Sequence, residues 1–237
     1  MPIATLIAPD RAQSGVISDA CDRLAEAGCA PAEIEWLDAG KAVDIGFDGS
    51  ISAARNALRP LETEYDIAVQ PSEGRRKMLL VSDMDSTMIT VECIDELADY
   101  AGIKPEIAAI TEQAMAGELD FAEALKARVA LLAGLSEDVI AQCLSERVRP
   151  MAGAETLVRT MTTWGAHGVL VSGGFTSFAG PVADIIGLAD VHANVLEIKD
   201  GKLTGALVGK IVDAGAKQKV LEAAALSKGL RLDQALA

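Results

Sequence analysis

The sequence predicts an α/β protein, in which a small ferredoxin-like α+β module precedes a Rossmann-like core of parallel strands with a helical cap insert. Two observations lead to this prediction. The uninterrupted apolar runs at residues 78–81 and 168–171 are typical of strands buried on both faces of a parallel sheet. Before residue 70, the patterns follow the order strand, helix, strand, strand, helix, strand, which is the split βαβ order.

The N-terminal module, ferredoxin-like (ACT-like) in its order of elements, is predicted over residues 1–70. Its predicted strands cover residues 3–8, 33–37, 42–47 and 65–69, and its helices cover 14–27, capped by Ser14, and 50–61. Such modules commonly sense small ligands or dimerise, but an order of elements does not fix a function. Residues 71–76 are polar and punctuated by Pro71 and Gly74, so they are predicted to form a linker.

The core is predicted over residues 77–237. After the strand at 78–81, a helical stretch over about 93–148 breaks at Gly102, Gly117 and Gly134. The remaining predicted elements are a helix at 153–163, a strand at 168–171, a helix at 178–186, hairpin strands at 194–198 and 203–208, and a helix at 216–228. Because the helical stretch interrupts the core early, we expect it to form a cap over an active site.

Composition and charge exclude several classes of protein. The net charge of −14 argues against nucleic acid or an anionic membrane as a partner. The four cysteines form no C-x-x-C pair and the two histidines are scattered, so neither a disulfide framework nor a zinc site is expected. The first residues lack a secretory signal pattern, and no apolar run is long enough for a membrane span. We therefore expect a cytoplasmic protein, and a homodimer is compatible with the sequence.

Two carboxylates, Asp83 and Asp85, follow the predicted strand at 78–81 directly, where open α/β sheets place their ligands. A carboxylate can attack phosphorus and form an acyl phosphate. A second carboxylate can protonate the leaving alcohol and then deprotonate water. Oxygen ligands together with phosphate suit Mg²⁺. We therefore expect Asp83 as the nucleophile, Asp85 as the acid/base and both residues at a Mg²⁺ ion. The alternative is a turn in which the aspartates bond their own backbone.

A second polar turn follows the second apolar run. Ser172, Gly173 and Gly174 come directly after the predicted strand at 168–171. A hydroxyl and bare backbone N–H groups at a strand-to-helix turn form a natural cradle for phosphate. An ordinary Ser-Gly turn is the alternative. The pairing with Asp83 and Asp85 favours the phosphate-binding interpretation.

The motifs D-x-D-S-T at residues 83–87 and S-G-G-F at residues 172–175 resemble those of the haloacid-dehalogenase superfamily and, within it, the phosphoserine phosphatases. The resemblance covers the chain from residue 77 onward. It implies Mg²⁺-dependent hydrolysis of O-phospho-L-serine to L-serine, the last step of serine biosynthesis, through an aspartyl phosphate on Asp83. It also implies that Ser172 and Gly173 bind the phosphate.

The same resemblance implies a pocket for an α-amino acid. Glu92 stands where the family keeps the glutamate that meets the substrate ammonium, and Arg128 resembles the arginine that binds the carboxylate. Phe121 and Met115 match the residues that line the pocket. Without the resemblance, Glu92 is a helix N-terminal acid, Arg128 lies on a solvated helix face, and the two apolar residues are ordinary helix contacts.

A lysine that steadies the phosphoryl group and the nucleophile is the third element that the resemblance implies. Lys217 in the segment D-A-G-A-K-Q-K at residues 213–219 is the match. Lys219 is the rival, and a surface lysine in the first turn of a helix is the structural alternative.

The fourth family motif, G-D-G-x-N-D, does not occur in the sequence. Without its aspartates, a metal would keep Asp83, the backbone carbonyl of Asp85, substrate and water. We expect the 237 residues to be a fragment of a longer phosphoserine phosphatase, with little or no activity alone. We also expect an exposed apolar sheet edge beside the strand that precedes Asp83.

Two alternative functions stay open. Within the same superfamily, the chain could act on another small phosphate ester or transfer the phosphoryl group to another acceptor. From a different class, it could be a non-catalytic regulatory protein whose N-terminal module binds a small ligand such as serine, and the absent fourth motif favours this alternative.

Overall fold

A computed structural model describes residues 1–237. The chain divides into two compact units, Met1–Arg76 and Lys77–Ala237. Each unit has its own hydrophobic core. None of the helices is long and apolar enough to cross a membrane.

The N-terminal unit is a four-stranded antiparallel sheet with two helices. Its elements are β1 (Pro2–Ile7), α1 (Val16–Glu26), β2 (Ala30–Asp38), β3 (Ala42–Asp48), α2 (Ile51–Leu58), a 3₁₀ turn (Arg59–Thr63) and β4 (Asp66–Pro71). The strands lie in the order β2-β3-β1-β4, and every neighbouring pair is antiparallel. The order of elements agrees with the predicted one, whereas the ACT-like interpretation stays a prediction.

Two details of this unit differ from the sequence-based expectation. Helix α1 begins after Gly15, which has a φ of 91°, and no side chain caps it, so Ser14 is not the cap. Strand β4 extends to Pro71, and Arg75 forms an ion pair with the buried Asp44, which also accepts a hydrogen bond from Thr5 at 2.7 Å. The predicted linker is therefore in part held against the first unit.

The C-terminal unit is built on a five-stranded sheet. Its elements are β5 (Leu79–Ser82), α3 (Cys93–Ala101), α4 (Lys104–Met115), α5 (Phe121–Leu131), α6 (Asp138–Glu146), α7 (Ala154–Thr163), β6 (His167–Phe175), α8 (Thr176–Ile186), β7 (Asp190–Lys199), β8 (Lys202–Val208), α9 (Ala214–Ser227), a 3₁₀ turn (Leu232–Gln234) and β9 (Ala235–Leu236). The strand order is β8-β7-β6-β5-β9. All neighbours are parallel except β7 and β8, which form a hairpin.

Successive residues of β5 and β6 lie on opposite faces of this sheet. Leu80 and Leu170 belong to the large core beneath the cap, whereas Leu79 and Val169 pack against the side of the sheet that α9 covers. The strands pair in parallel, with Ser82 opposite Leu170. The residues that follow them, Asp83 and the turn that begins at Ser172, are therefore expected at the same edge of the sheet.

The edge of the sheet beside β5 is partly occupied. The two residues of β9 pair in parallel with Leu79 and Leu80, although the sequence pattern predicts no strand there. Met78 N also donates to the carbonyl of Gln234 at 2.8 Å. The expectation of a wholly exposed edge is therefore wrong for the first half of β5.

The predicted helical insert consists of four helices, α3 to α6, separated near the three predicted glycines. Gly102, Gly117 and Gly134 all have positive φ, and Gly102 is the left-handed C-cap of α3. A residue without a Cβ adopts this conformation without steric cost. The glycines therefore end the helices that the apolar pattern alone would join.

Candidate active site

A cavity of about 540 Å³ lies at the carboxyl ends of β5 and β6. It brings together almost all of the predicted site residues from distant parts of the C-terminal unit. The ones that line it are Asp83, Asp85, Glu92, Phe121, Arg128, Ser172, Gly173 and Lys217. Met115 is the exception.

Asp83 and Lys217 are the oppositely charged centre of this cavity. The Nζ of Lys217 lies 2.5 Å from Oδ2 of Asp83, although 134 residues separate the two in sequence. The other carboxylate oxygen, Oδ1, accepts a hydrogen bond from Met84 N at 2.8 Å. The Asp83 side chain keeps 42% of its surface exposed, so a substrate can reach it. Lys219, the rival lysine, lines a different cavity.

Asp85 occupies a less polar environment than Asp83. Its Oδ1 accepts a hydrogen bond from the backbone N–H of Cys93, the first residue of α3, at 3.1 Å. Burial raises the pKa of Asp85 to about 6, and the hydrogen bonds from Cys93 offset only part of this effect. A carboxyl group with such a pKa can both donate and accept a proton near neutral pH.

The turn predicted at residues 172–174 instead lies within β6, which continues to Phe175, at the point where the register of β6 with β7 shifts. This segment places backbone next to both the acid and the cap. Ser172 is buried, and its Oγ accepts a hydrogen bond from Gly174 N at 2.8 Å. A Cβ on Gly173 would lie 2.9 Å from Cζ of Phe121, and one on Gly174 would lie 2.7 Å from Oδ2 of Asp85. A side chain at Gly173 would therefore displace the Phe121 ring, and one at Gly174 would displace the Asp85 carboxylate.

The cap contributes residues from α5 and from the start of α3. A capping box between Asp120 and Glu123 fixes the first turn of α5, where Phe121 begins the helix. Arg128 is half-buried and forms no ion pair, and its Nε makes a hydrogen bond of 3.4 Å to the carbonyl of Ala124. Its guanidinium is thus available to an anionic group in the cavity.

Glu92 is oriented by a neighbour in the D-x-D-S-T segment. The Oγ of Ser86 donates to Oε1 of Glu92 at 2.7 Å. Ser86 itself has a φ of 51°, which is uncommon for a residue other than glycine. The second carboxylate oxygen of Glu92 stays free to meet a cation in the cavity.

The structure differs from the prediction at Met115. This residue is the last of α4, and it is 84% exposed and does not line the cavity. Helix α4 buries only Ile107. Because α4 ends before the chain reverses at Gly117, its last side chain lies in solvent and does not meet Phe121 across the pocket.

Two residues of the site were missed in the sequence. Asp213 lines the cavity and caps α9 by accepting a hydrogen bond from Ala216 N at 2.7 Å. The buried Asn194 contacts the backbone of Gly173. An aspartate at a helix start and an asparagine within a strand were the available signals.

The cavity offers oxygen donors of the kind that Mg²⁺ prefers. Asp83 and Asp85 line the cavity with carboxylates, but no group of three or more His, Cys, Asp or Glu side chains converges anywhere in residues 1–237. Mg²⁺ usually takes one or two carboxylates and completes its octahedron with water and phosphate. The residues present therefore fit this ion as a partial ligand set.

Comparison with known proteins gives consistent results. The family described as haloacid dehalogenase-like hydrolase matches residues 80–237. The chain is 39% identical over 198 residues to a phosphoserine phosphatase of Archaeoglobus fulgidus, an alignment that covers 82% of this chain and 57% of the relative. The chain spans about half the length of the first curated relatives that it matches.

Solved structures are similar as well. A probable phosphoserine phosphatase from Vibrio cholerae superposes with a TM-score of 0.79 and 30% identity, covering 99% of this chain and 71% of that one. A phospho-aspartyl intermediate analogue of phosphoserine phosphatase superposes with a TM-score of 0.62 and 36% identity, covering 68% of this chain and 77% of that one. The resemblance found in the sequence motifs is thereby confirmed.

We predict that Asp85→Asn alters how stability depends on pH. The folded state holds the Asp85 proton up to a pH of about 6, whereas the unfolded chain releases it near 3.8, so wild-type stability falls as pH rises between these values. An asparagine does not titrate. As the pH rises from 4 to 7, the free energy of unfolding of the variant should therefore increase by about 2 kcal/mol relative to that of the wild type.

Urea unfolding in metal-free buffer measures this difference. Above pH 7 the difference should stay constant, which provides an internal control. If the difference in the free energy of unfolding is the same at pH 4 and pH 7, burial does not raise the pKa of Asp85.

Proposed function

This chain belongs to the haloacid dehalogenase-like hydrolase family, and we propose that it hydrolyses O-phospho-L-serine to L-serine and phosphate through an aspartyl phosphate on Asp83. One observation carries the proposal. The Asp83–Lys217 pair, Asp85 and the turn at Ser172 face one cavity that also contains an unpaired guanidinium and an acidic side chain. These groups match the phosphate, carboxylate and ammonium of the substrate.

The first half of the reaction transfers the phosphoryl group to the protein. A carboxylate oxygen of Asp83 forms a bond to phosphorus while the bond between phosphorus and the serine oxygen breaks. The serine oxygen takes the proton from Asp85 and leaves as the hydroxyl of L-serine. Lys217, together with Ser172 and the backbone N–H of Gly173, stabilises the negative charge on the phosphoryl oxygens.

The second half returns the protein to its starting state. A water molecule attacks phosphorus, Asp85 accepts a proton from that water, and Asp83 leaves as a carboxylate. The pKa of Asp85, which burial raises to about 6, supports both tasks because neither protonation state is strongly disfavoured near neutral pH. The Asp83 side chain keeps 42% of its surface exposed, so its carboxylate is accessible for attack on phosphorus.

Residues in and next to the cap helices bind the amino-acid end of the substrate. Arg128 can hold the carboxylate with two parallel hydrogen bonds, and Glu92, oriented by Ser86, can accept hydrogen bonds from the ammonium. Phe121 packs next to Gly173, between the amino-acid end and the phosphate turn, and excludes water there.

Mg²⁺ is part of the proposal. Asp83 and the backbone carbonyl of Asp85 would hold it, and it would neutralise the charge that the phosphate brings towards the Asp83 carboxylate. Residues 1–237 contain no G-D-G-x-N-D segment, which supports slow turnover by these residues alone. Release of phosphate at rates typical of enzymes by a chain verified by mass to comprise residues 1–237 would contradict this part of the proposal.

We predict that Arg128→Ala impairs one class of substrate selectively. Losing a charged hydrogen-bonding partner should raise KM for O-phospho-L-serine roughly 10- to 100-fold. The KM for p-nitrophenyl phosphate, which has no amino-acid carboxylate, should not change.

Lys126→Ala is the matched control, because Lys126 is an exposed cation on the same helix that does not line the cavity. It should leave both substrates unaffected. If Arg128→Ala impairs both substrates equally, the amino-acid pocket is wrongly assigned and a phosphatase for another small ester becomes the better interpretation.

We further predict that the effects of Gly173→Ala and Phe121→Ala on kcat/KM are not additive. The new methyl group displaces the Phe121 ring, so kcat/KM for O-phospho-L-serine should fall roughly tenfold or more, as expected when a positioning group is shifted by about 1 Å. In a Phe121→Ala background the same substitution should cost little, because the ring is absent.

Gly174→Ala supplies the contrast in this double-mutant cycle. Its methyl group would meet Asp85 and Met84 rather than Phe121, so its cost should be the same in both backgrounds. Equal losses for Gly173→Ala with and without Phe121 would mean that the cap does not close on this turn.

A further inference from the structure

Asn194 is a buried polar side chain that connects two parts of the site. It lies in β7 and is only 2% exposed. Its Nδ2 donates to the carbonyl of Gly173 at 2.7 Å, and its Oδ1 accepts from Val212 N at 2.8 Å. Gly173 lies in the irregular last part of β6, and Val212 directly precedes Asp213, the capping residue of α9.

The strands beside Asn194 explain why a side chain is needed at this point. Strands β6 and β7 pair regularly up to Val171 and His192, and the register then shifts before Phe175 pairs with Asn194. Within this irregularity the carbonyl of Gly173 has no regular ladder partner. A buried backbone group without a partner is costly. The amide of Asn194 satisfies this carbonyl and, on its other side, the N–H of Val212.

The two bonded segments hold the groups that face the phosphate. The segment at the end of β6 contains Ser172 and Gly173. Helix α9 contains Lys217 in its first turn, where Lys217 N donates to the carbonyl of Asp213 at 2.9 Å. Asn194 therefore joins, through two hydrogen bonds, a backbone donor site and a cation that approach one cavity from different elements.

We propose that Asn194 is a positioning residue that fixes the distance between the phosphate-binding turn and Lys217. The inference rests on the proposed function in one respect, namely that both groups bind the same phosphoryl group. Asn194 itself does not line the cavity, so it acts through its neighbours. Its loss therefore impairs every phosphate ester alike, in contrast to the loss of Arg128.

Two substitutions test this role in the full chain. Asn194→Leu keeps the approximate volume but removes both hydrogen bonds. Asn194→Asp keeps an acceptor for Val212 N–H but turns a carboxylate oxygen towards the carbonyl of Gly173. Thr204→Val is the control, because it removes a hydrogen bond of 2.7 Å to Glu197 within the same β7–β8 hairpin.

The decisive readout is the inhibition constant of inorganic phosphate, measured with O-phospho-L-serine and with p-nitrophenyl phosphate. Both Asn194 variants should raise this constant and both KM values roughly tenfold, as for the loss of one or two hydrogen bonds. Thr204→Val should change none of them. A variant that only lowers the folded fraction would reduce the maximal rate with an unchanged inhibition constant, and this result would overturn the proposal.

Amide hydrogen exchange tests the inference without any turnover, so it stays decisive if residues 1–237 hydrolyse neither ester at a measurable rate. In Asn194→Leu, exchange should accelerate together at Val212, at Gly174 and in the first turn of α9, while α8 keeps its protection. Acceleration in only one of the two segments, or equally throughout the unit, would show that Asn194 does not couple them.

Discussion

The site depends on the contact between the carboxylate of Asp83 and the ammonium of Lys217. The first group follows a buried strand, and the second, 134 residues later in the sequence, lies in the first turn of α9. An anionic nucleophile would repel an incoming phosphate, and an opposite charge at 2.5 Å reduces this repulsion. The position of α9 against the sheet is consequently a constraint on the chemistry as well as on the fold.

The second constraint is the difference between two carboxylates that stand one residue apart. Asp83 is partly exposed and lies beside the ammonium of Lys217, whereas Asp85 lies against the start of α3 and next to Gly174. Burial raises the pKa of Asp85 to about 6. Paired carboxylates in unequal environments divide the roles of nucleophile and acid/base. The different surroundings of the two side chains are thus the basis for the two proposed roles.

The sequence was sufficient to predict the strands that position the site. Residues 78–81 and 168–171 are apolar without interruption, and the polar residues that follow them lie at the carboxyl ends of neighbouring parallel strands, as expected. The four cap helices could be separated because a glycine lies in each of the three breaks between them. Asp83, Asp85, Ser172 and Lys217 could be assigned because they belong to recognisable local motifs.

Other features depend on tertiary contacts that no local pattern contains. Met115 was assigned to the pocket by analogy, but the end of α4 leaves it in solvent. The two residues of β9 form a strand only because β5 offers them a partner. Asn194 has no motif of its own, and its importance follows from a register shift between two strands. Pairing and packing, rather than propensity, decide these positions.

The most direct test of the account is a search for the covalent intermediate. Excess protein is mixed with O-phospho-L-serine and Mg²⁺, quenched with acid within a single turnover, and digested for peptide mass spectrometry. The account predicts one phosphoryl group on Asp83, which disappears when Asp83→Asn replaces the wild type. Serine release without phosphorylation of Asp83, or with the phosphoryl group on another residue, would contradict it.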